Sequence, residues 1–229
     1  MKEITDIIKY YEEIIPQYER LAGYYDPEAE KMREQMKRRW QALLKGHDVL
    51  EVACGTGYWT EAIAEVATHL TATDINEKML AVTRERLKEF DNVEFIQMDA
   101  YTLDKVEGLF SAAFAHWWWS HIPKTKIRSF LETLHTRLED GSPVLFSDHL
   151  PDYCGVGFKI SYNDDGDRIE ERIMTNGNKH YVIKNFLTEE EAQQHLSGIA
   201  KDVQYTAYAN HWELFYRTAI KQQPVSSKH

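Results

Sequence analysis

The chain has 229 residues, 27 Lys and Arg against 37 Asp and Glu, 43% hydrophobic residues and a formal net charge of −10. That length can bury a substantial core in one domain or at most two, and the acidic balance argues against a nucleic-acid partner, whose backbone needs a concentrated basic face. Two cysteines, Cys54 and Cys154, are too few for a disulfide framework, no apolar run approaches the ~18 residues of a membrane span, and the start MKEITDIIKYYEEII lacks a signal peptide's apolar stretch, so the expectation is a cytoplasmic globular protein with no membrane partner.

Over residues 1–24, Ile4, Ile7, Ile8, Tyr11, Ile14, Ile15, Tyr18 and Leu21 recur at three- and four-residue steps, which predicts an amphipathic helix bent or split at Pro16 and stopped at Gly23. Asp26-Pro27 reads as the cap and first residue of a second helix, acidic early (Glu28, Glu30) and basic later (Lys37, Arg38, Arg39), as the helix dipole favours. From residue 48 the pattern alternates: strands at 48–53, 70–74, 93–98, 110–115 and 143–147, with helices at 58–68, from after 74 to 90, and at 124–138. That rhythm predicts an α/β fold with a parallel sheet covered on both faces. Beyond residue 150, Asn176-Gly177-Asn178 between 168–175 and 180–186 reads as an antiparallel hairpin. A helix at 188–200 opens with a Thr188/Glu191 capping box, strands near 203–208 and 212–218 close the fold, and residues 222–229 read as a disordered tail.

The sharpest motif is Val49-Leu50-Glu51-Val52-Ala53-Cys54-Gly55-Thr56-Gly57, a strand running into a Gly-x-Gly turn that opens a helix. Glycines there let a backbone approach a ligand closely. Asp74 follows Gly55 by 19 residues, at the end of the next strand, where an acid can accept both hydroxyls of a ribose. Dinucleotides and S-adenosylmethionine both use this layout. Against a dinucleotide stand Thr60, where the fingerprint wants glycine, and Glu51, whose charge would repel a pyrophosphate by about 1–4 kcal/mol. A sulfonium and an ammonium tolerate that acid. Asp99 ends the third strand, placed to accept an adenine amine.

Together E-V-A-C-G-T-G, T-D-I and M-D-A resemble the class I S-adenosylmethionine-dependent methyltransferases, strongly over 45–150 and more loosely in the flanks. The best match is the small-molecule branch with an N-terminal helical lid. The resemblance implies a seven-stranded Rossmann-like sheet with a reversed final strand. It implies one domain over 1–221: a lid at 1–45, a cofactor-binding core at 46–150, and a hairpin insertion with the last strands at 151–221. It further implies that Glu51, Ala53, Gly55 and Gly57 line the methionine end and that Asp74 binds the ribose. Asp99 and Ala100 meet the adenine, which Ile75 and Met79 flank.

Ala115-His116-Trp117-Trp118-Trp119-Ser120-His121 follows the fourth strand into the expected crevice. It replaces the Asn/Asp-Pro-Pro-aromatic tetrad of exocyclic-amine nucleic-acid methyltransferases. Three consecutive tryptophans cannot all face one way, and Trp117 is the expected ligand contact. His116 and His121 are candidate bases for a proton-bearing acceptor, since imidazole titrates near pH 6.5, and His116 is also placed to touch the cofactor. Asp148, at the end of the fifth strand, is a third catalytic candidate, although Asp148 and His149 as strand neighbours point to opposite faces. Tyr18 and Tyr25 on the lid are placed to bond the methionine carboxylate or the acceptor; Arg172 reads first as a surface residue, with receipt of a substrate carboxylate as the alternative. No Cys-x-x-Cys or His-x-x-x-His pair suggests a metal. The expectation is methyl transfer to a small molecule, with O or N favoured, by a monomer or homodimer. Its rivals are a protein or RNA methyltransferase, a non-catalytic binding module and a nicotinamide oxidoreductase.

Overall fold

Pro16 splits the N-terminal helix, as its missing N–H and fixed φ require. In the computed structural model, which describes residues 2–151 and 157–219, α1 (Lys2–Ile14) passes through a 3-10 turn at Ile15–Gln17 into α2 (Tyr18–Leu21). The side chain of Ile4, Cys154 and the predicted tail at 222–229 lie outside the described residues. Asp26 accepts a hydrogen bond from the Glu28 amide at 3.0 Å, and the Pro27–Ala29 turn leads into α3 (Glu30–Leu44).

The predicted alternation follows. β1 (Asp48–Val52), α4 (Tyr58–Ala64), β2 (His69–Asp74), α5 (Glu77–Arg86), β3 (Val93–Gln97), β4 (Ala112–His116), α6 (Ile127–His135) and β5 (Pro143–His149) form the doubly wound half. Its strands are parallel, in the order β3-β2-β1-β4-β5. That order reverses beside β1, opening a crevice at the strands' carboxyl ends.

The predicted hairpin is present as β7 and β8, but it has a third member: β6 (Lys159–Tyr162), β7 (Arg168–Ile173) and β8 (Lys179–Ile183) make a small antiparallel sheet. β6 escaped the sequence because it is only four residues long and mostly exposed, too short for its alternation to stand out. α7 (Glu189–Leu196) carries both halves of the capping box. β9 (Ala200–Ala207) and β10 (His211–Thr218) complete the main sheet, in the order β3-β2-β1-β4-β5-β10-β9. β10, the last strand among the described residues, is the reversed one and is wedged between β5 and β9.

Strand alternation sorts the core into two layers. Leu50 and Val52 face Phe130, Leu134 and Trp212. Val49, and with it Phe114 of β4, face Trp40, Leu44 and Ile63 of α3 and α4. A third cluster, Tyr10 and Ile14 against Val182, docks α1 on the small sheet. Among the described residues, no helix is long and apolar enough to cross a membrane.

Gly57 caps α4 at φ +81°, and a Cβ there would lie 2.6 Å from Thr83 Cγ2 on α5. Gly46 has a similar φ of +76° but open space around it. We expect Gly46→Ala to cost about 1–2 kcal/mol of backbone strain, and Gly57→Ala a further ~1–3 kcal/mol of steric conflict, read as the difference between their urea unfolding curves.

Candidate functional site

The loops after β1, β2, β3 and β4 meet at one end of the sheet, and α1 and α2 roof them. They enclose a cavity of about 1020 Å³, its open mouth included, with an adjoining lobe of about 290 Å³. Tyr18, Ala53, Gly55 and His116 line both.

The turn after β1 is bent for this purpose. Ala53 at φ 57° and Gly55 at φ 60° are left-handed, and Gly55 faces open space where a Cβ would project. The Gly55 amide donates to Asp74 Oδ2 at 3.0 Å, and the Asn76 amide to Asp74 Oδ1 at 2.8 Å. Burial raises the Asp74 pKa to about 6, against the pull of those amides. Asp99 accepts from the Tyr101 amide at 2.8 Å. Asp74, Ile75, Met79, Asp99 and Ala100 all line the larger cavity, beside one another at the ends of β2 and β3.

Glu51 lines the lobe. It is 2% exposed, and its Oε2 has no hydrogen-bond partner among the described residues. Burial raises its pKa to about 8, opposed by the nearby Thr60 hydroxyl and reinforced by Asp74. Glu51 is therefore largely uncharged at neutral pH until a cation lies beside it, which corrects the expectation of a standing repulsive charge. An orphaned buried carboxyl fits a ligand that brings an ammonium. Both ring nitrogens of His116 are also buried without partners among the described residues, and burial holds its pKa well below the usual value.

The three tryptophans diverge. Trp117, at φ 57°, has its amide bonded to the Ser147 carbonyl at 2.8 Å and its ring stacked with those of Tyr24, His116 and His149, at centroid distances of 5.5, 4.6 and 4.4 Å. Those stacks engage its faces, so it lines the cavity without a free face for a sulfonium. Trp118 lines the cavity beside Tyr101. Trp119 is core, against Phe146 and Trp212.

His121 also lines the cavity. Its Nδ1 donates to the Ile183 carbonyl at 2.7 Å, leaving Nε2 to accept from the Tyr11 hydroxyl at 2.8 Å. Burial, with Lys184 and Arg172, holds its pKa well below the usual value.

Other expected residues lie elsewhere in the structure. Gly57 does not line either cavity; it serves the close approach of α4 to α5. Asp148 does not line them either. It is 1% exposed and saturated, accepting from the Ser120 and His149 amides at 2.9 and 2.8 Å and from Lys184 at 3.1 Å. Burial alone would raise its pKa, but Lys184 and His149 hold it well below the usual range. The Asp148 carboxylate and the His149 ring meet after all, at 3.4 Å, where β5 ends. Tyr25 is exposed and bonded to Glu19. Arg172 is bound to Glu170 at 2.7 and 3.0 Å and stands beside the Tyr11 hydroxyl at the cavity wall, itself not among the lining residues. Conversely, Ile7, Ile8 and Tyr11, whose helical spacing reads as a core face, line the cavity with Pro123 and Ile183. Periodicity marks a buried face and does not say what buries it.

Residues 49–141 match the family described as "Methyltransferase domain". A demethylmenaquinone methyltransferase of Listeria welshimeri serovar 6b is 35% identical over 100 residues, which is 42% of this chain and 42% of that protein, so the match spans under half the length of the curated relative. Among solved structures, a DhpI–SAH complex superimposes with a TM-score of 0.77 at 23% identity, covering 94% of this chain and 97% of that one. The N-methyltransferase NodS from Bradyrhizobium japonicum WM9 gives a TM-score of 0.60 at 14% identity, covering 84% and 98%. The resemblance to class I methyltransferases is thereby borne out over the core, and the expected Rossmann-like sheet with its reversed final strand is the one observed.

Folding raises the pKa of Glu51 to about 8 and of Asp74 to about 6. Below about pH 6.5 the buried His116, His121 and His135, whose pKa burial lowers, gain stability as pH rises. The ligand-free folded state holds protons on Glu51 and Asp74 that the unfolded chain has released, and the contribution of these two acids falls as pH rises from about 4 to about 8. We expect Glu51→Gln to flatten that slope and to gain on the order of a few kcal/mol over wild type at pH 8, measured by urea unfolding at pH 5, 6.5 and 8.

Proposed function

We propose that this chain binds S-adenosylmethionine and transfers its methyl group to a small-molecule acceptor by in-line displacement. The observation that carries the reading is the convergence of Gly55, Asp74 and Asp99 on one cavity whose adjoining lobe holds the orphaned Glu51 carboxyl. Asp74 is the acceptor for ribose hydroxyls and Asp99, with Ala100, for the adenine amine. Ile75 and Met79 supply apolar flanks. Glu51 takes the ammonium, and Tyr18, Ala53, His116 and Trp117 enclose the methionine end. When bound, the sulfonium supplies an electrophilic methyl group with a neutral thioether leaving group.

The chain's own task is alignment and exclusion of water. Ile7, Ile8, Tyr11 and Tyr18 roof the cavity, and His121 and His116 are the groups that can take a proton there. Asp148 acts at one remove, fixing the Ser120 amide in the turn that carries His121. A roofed cavity favours a small acceptor over a protein or RNA, which needs an open groove. Relatives named as demethylmenaquinone methyltransferases support the same choice.

Isothermal titration tests the reading. We expect micromolar binding of S-adenosylmethionine and S-adenosylhomocysteine and none of NAD; no binding of either sulfur ligand overturns it. Asp74→Ala should weaken both by about 1.5–3 kcal/mol through lost charge-assisted hydrogen bonds, and unchanged affinity removes Asp74 from the site. Glu51 must release its proton to meet an ammonium, so affinity should rise with pH up to about 8 and binding should release a proton, read from titrations in buffers of different ionisation enthalpy.

A further inference from the structure

The roof helix α1 meets the rest of the protein on three adjoining faces. With 3.6 residues per turn, Ile7, Ile8 and Tyr11 share the face over the cavity, bordered on one side by Tyr10, Glu13 and Ile14 and on the other by Glu12. The first border lies on the small sheet. Tyr10 and Ile14 pack on Val182, and the Tyr10 ring meets the His180 ring edge-on at 5.7 Å and carries the Arg172 guanidinium at 4.7 Å. The Glu13 carboxylate takes His180 Nε2 at 2.8 Å, together with the side-chain amides of Asn176 and Asn178. The His180 side chain is only 10% exposed there.

The second border, toward α5, is of another kind. Glu12 meets Lys78 at 2.7 Å, but the Lys78 side chain is 67% exposed, and the Ile8 carbonyl takes the Asn76 side-chain amide only at 3.5 Å, the outer limit of a hydrogen bond. Among the described residues, none of the three apolar clusters joins α1 to α5. An exposed ion pair is screened by water and contributes little, whereas the small-sheet border adds buried apolar surface to a carboxylate with three side-chain donors. Beyond the 3-10 turn at Ile15–Gln17, α2 is held separately, by Glu19 on Thr56 and Arg86, so α1 can turn without it.

We propose that α1 is a flap hinged on the small sheet, clasped there by Glu13, and that it lifts along its α5 edge to pass the cofactor. This rests on the methyl-transfer reading above and adds the route into that site. Ile8, on the lifting side, covers the part of the cavity lined by Asp74, Ile75, Asn76 and Met79, so the opening uncovers the half assigned to the adenosine. The Tyr11–His121 bond lies beside the clasp, where Arg172 reaches the Tyr11 hydroxyl, and stays made while the cofactor exchanges. Glu13 is thereby a positioning residue, acting through α1 rather than on a ligand.

The test uses the whole chain and follows S-adenosylhomocysteine exchange by stopped-flow fluorescence of the tryptophans, two of which, Trp117 and Trp118, line the cavity. Lys78→Glu sets like charges at the lifting edge and should speed association and dissociation alike by about threefold or more, and the swap of Glu12→Lys with Lys78→Glu should restore both rates. Glu13→Ala should leave both rates within about twofold while moving the ¹⁵N signals of His121, which report how α1 is seated. Staples give a second measurement, in a background carrying Cys54→Ser and Cys154→Ser. A short bismaleimide joining Glu12→Cys to Lys78→Cys should slow exchange about tenfold or more, and one joining Glu13→Cys to Asn178→Cys should leave it unchanged. A clasp-side staple that blocks exchange, an α5-side staple that does not, Lys78→Glu rates that match the unaltered chain or survive the swap, faster exchange in Glu13→Ala, or His121 signals unmoved by it each overturns the inference. Failure of S-adenosylhomocysteine to bind the unaltered chain instead marks failure of the methyl-transfer reading, and this inference falls with it.

Discussion

The Asp74 carboxylate, held between the amides of Gly55 and Asn76, ties together the parts of the molecule that make a site. One oxygen fastens the turn after β1; the other shapes the turn after β2. Asn76 in turn caps α5, accepting from the Lys78 amide at 3.0 Å, and reaches the Ile8 carbonyl of α1 at 3.5 Å. Thr83 on α5 closes the loop by donating to the Gly55 carbonyl at 2.7 Å. A parallel sheet brings these segments to one edge; the carboxylate sets their mutual geometry. Its raised pKa, about 6, is the cost of holding a charge there before a ligand arrives.

The roof is attached by several polar ties as well as by the apolar cluster of Tyr10 and Ile14 on Val182. Glu19 on α2 accepts from Thr56 Oγ1 at 2.8 Å and from Arg86, binding the roof to the glycine turn and to α5. Lys78 holds Glu12 at 2.7 Å. On the other side Glu13 takes His180 at 2.8 Å, and Asn176 of the hairpin turn, so the small sheet braces α1. Exposed ion pairs contribute little individually. The small sheet, an insertion when read along the chain, carries the third wall of the cavity through Ile183.

Charge is distributed by function within this acidic chain. Carboxylates gather where a cationic, hydroxyl-rich ligand is proposed to lie, and burial raises the pKa of two of them, Glu51 to about 8 and Asp74 to about 6. The opposite half carries the bonded pair Tyr11 and His121, with the Arg172 guanidinium beside the Tyr11 hydroxyl. Cations near that half are spent on their own partners, where Asp148 and Glu170 neutralise them.

What the sequence by itself determined about this protein is what depends on neighbours along the chain. The strand–helix rhythm, the split at Pro16, the capping box at Thr188 and the left-handed glycines of the first turn all follow from local sterics and hydrogen bonding. So does the placing of Asp74 and Asp99 at strand ends, which a parallel sheet must bring to one edge. Tertiary structure decided the rest. Tyr11 and His121 stand 110 positions apart, and nothing in either neighbourhood marks them as partners. The face of α1 that looks like core proved to be roof, because hydrophobic spacing records removal from water and not what removes it. Gly57, expected at the ligand, lies where α4 approaches α5, and Asp148, expected in the chemistry, lies in a buried ion pair with Lys184. Whether an acid is charged also lay beyond the sequence, since Glu51 differs from any exposed glutamate only in the solvent it has lost.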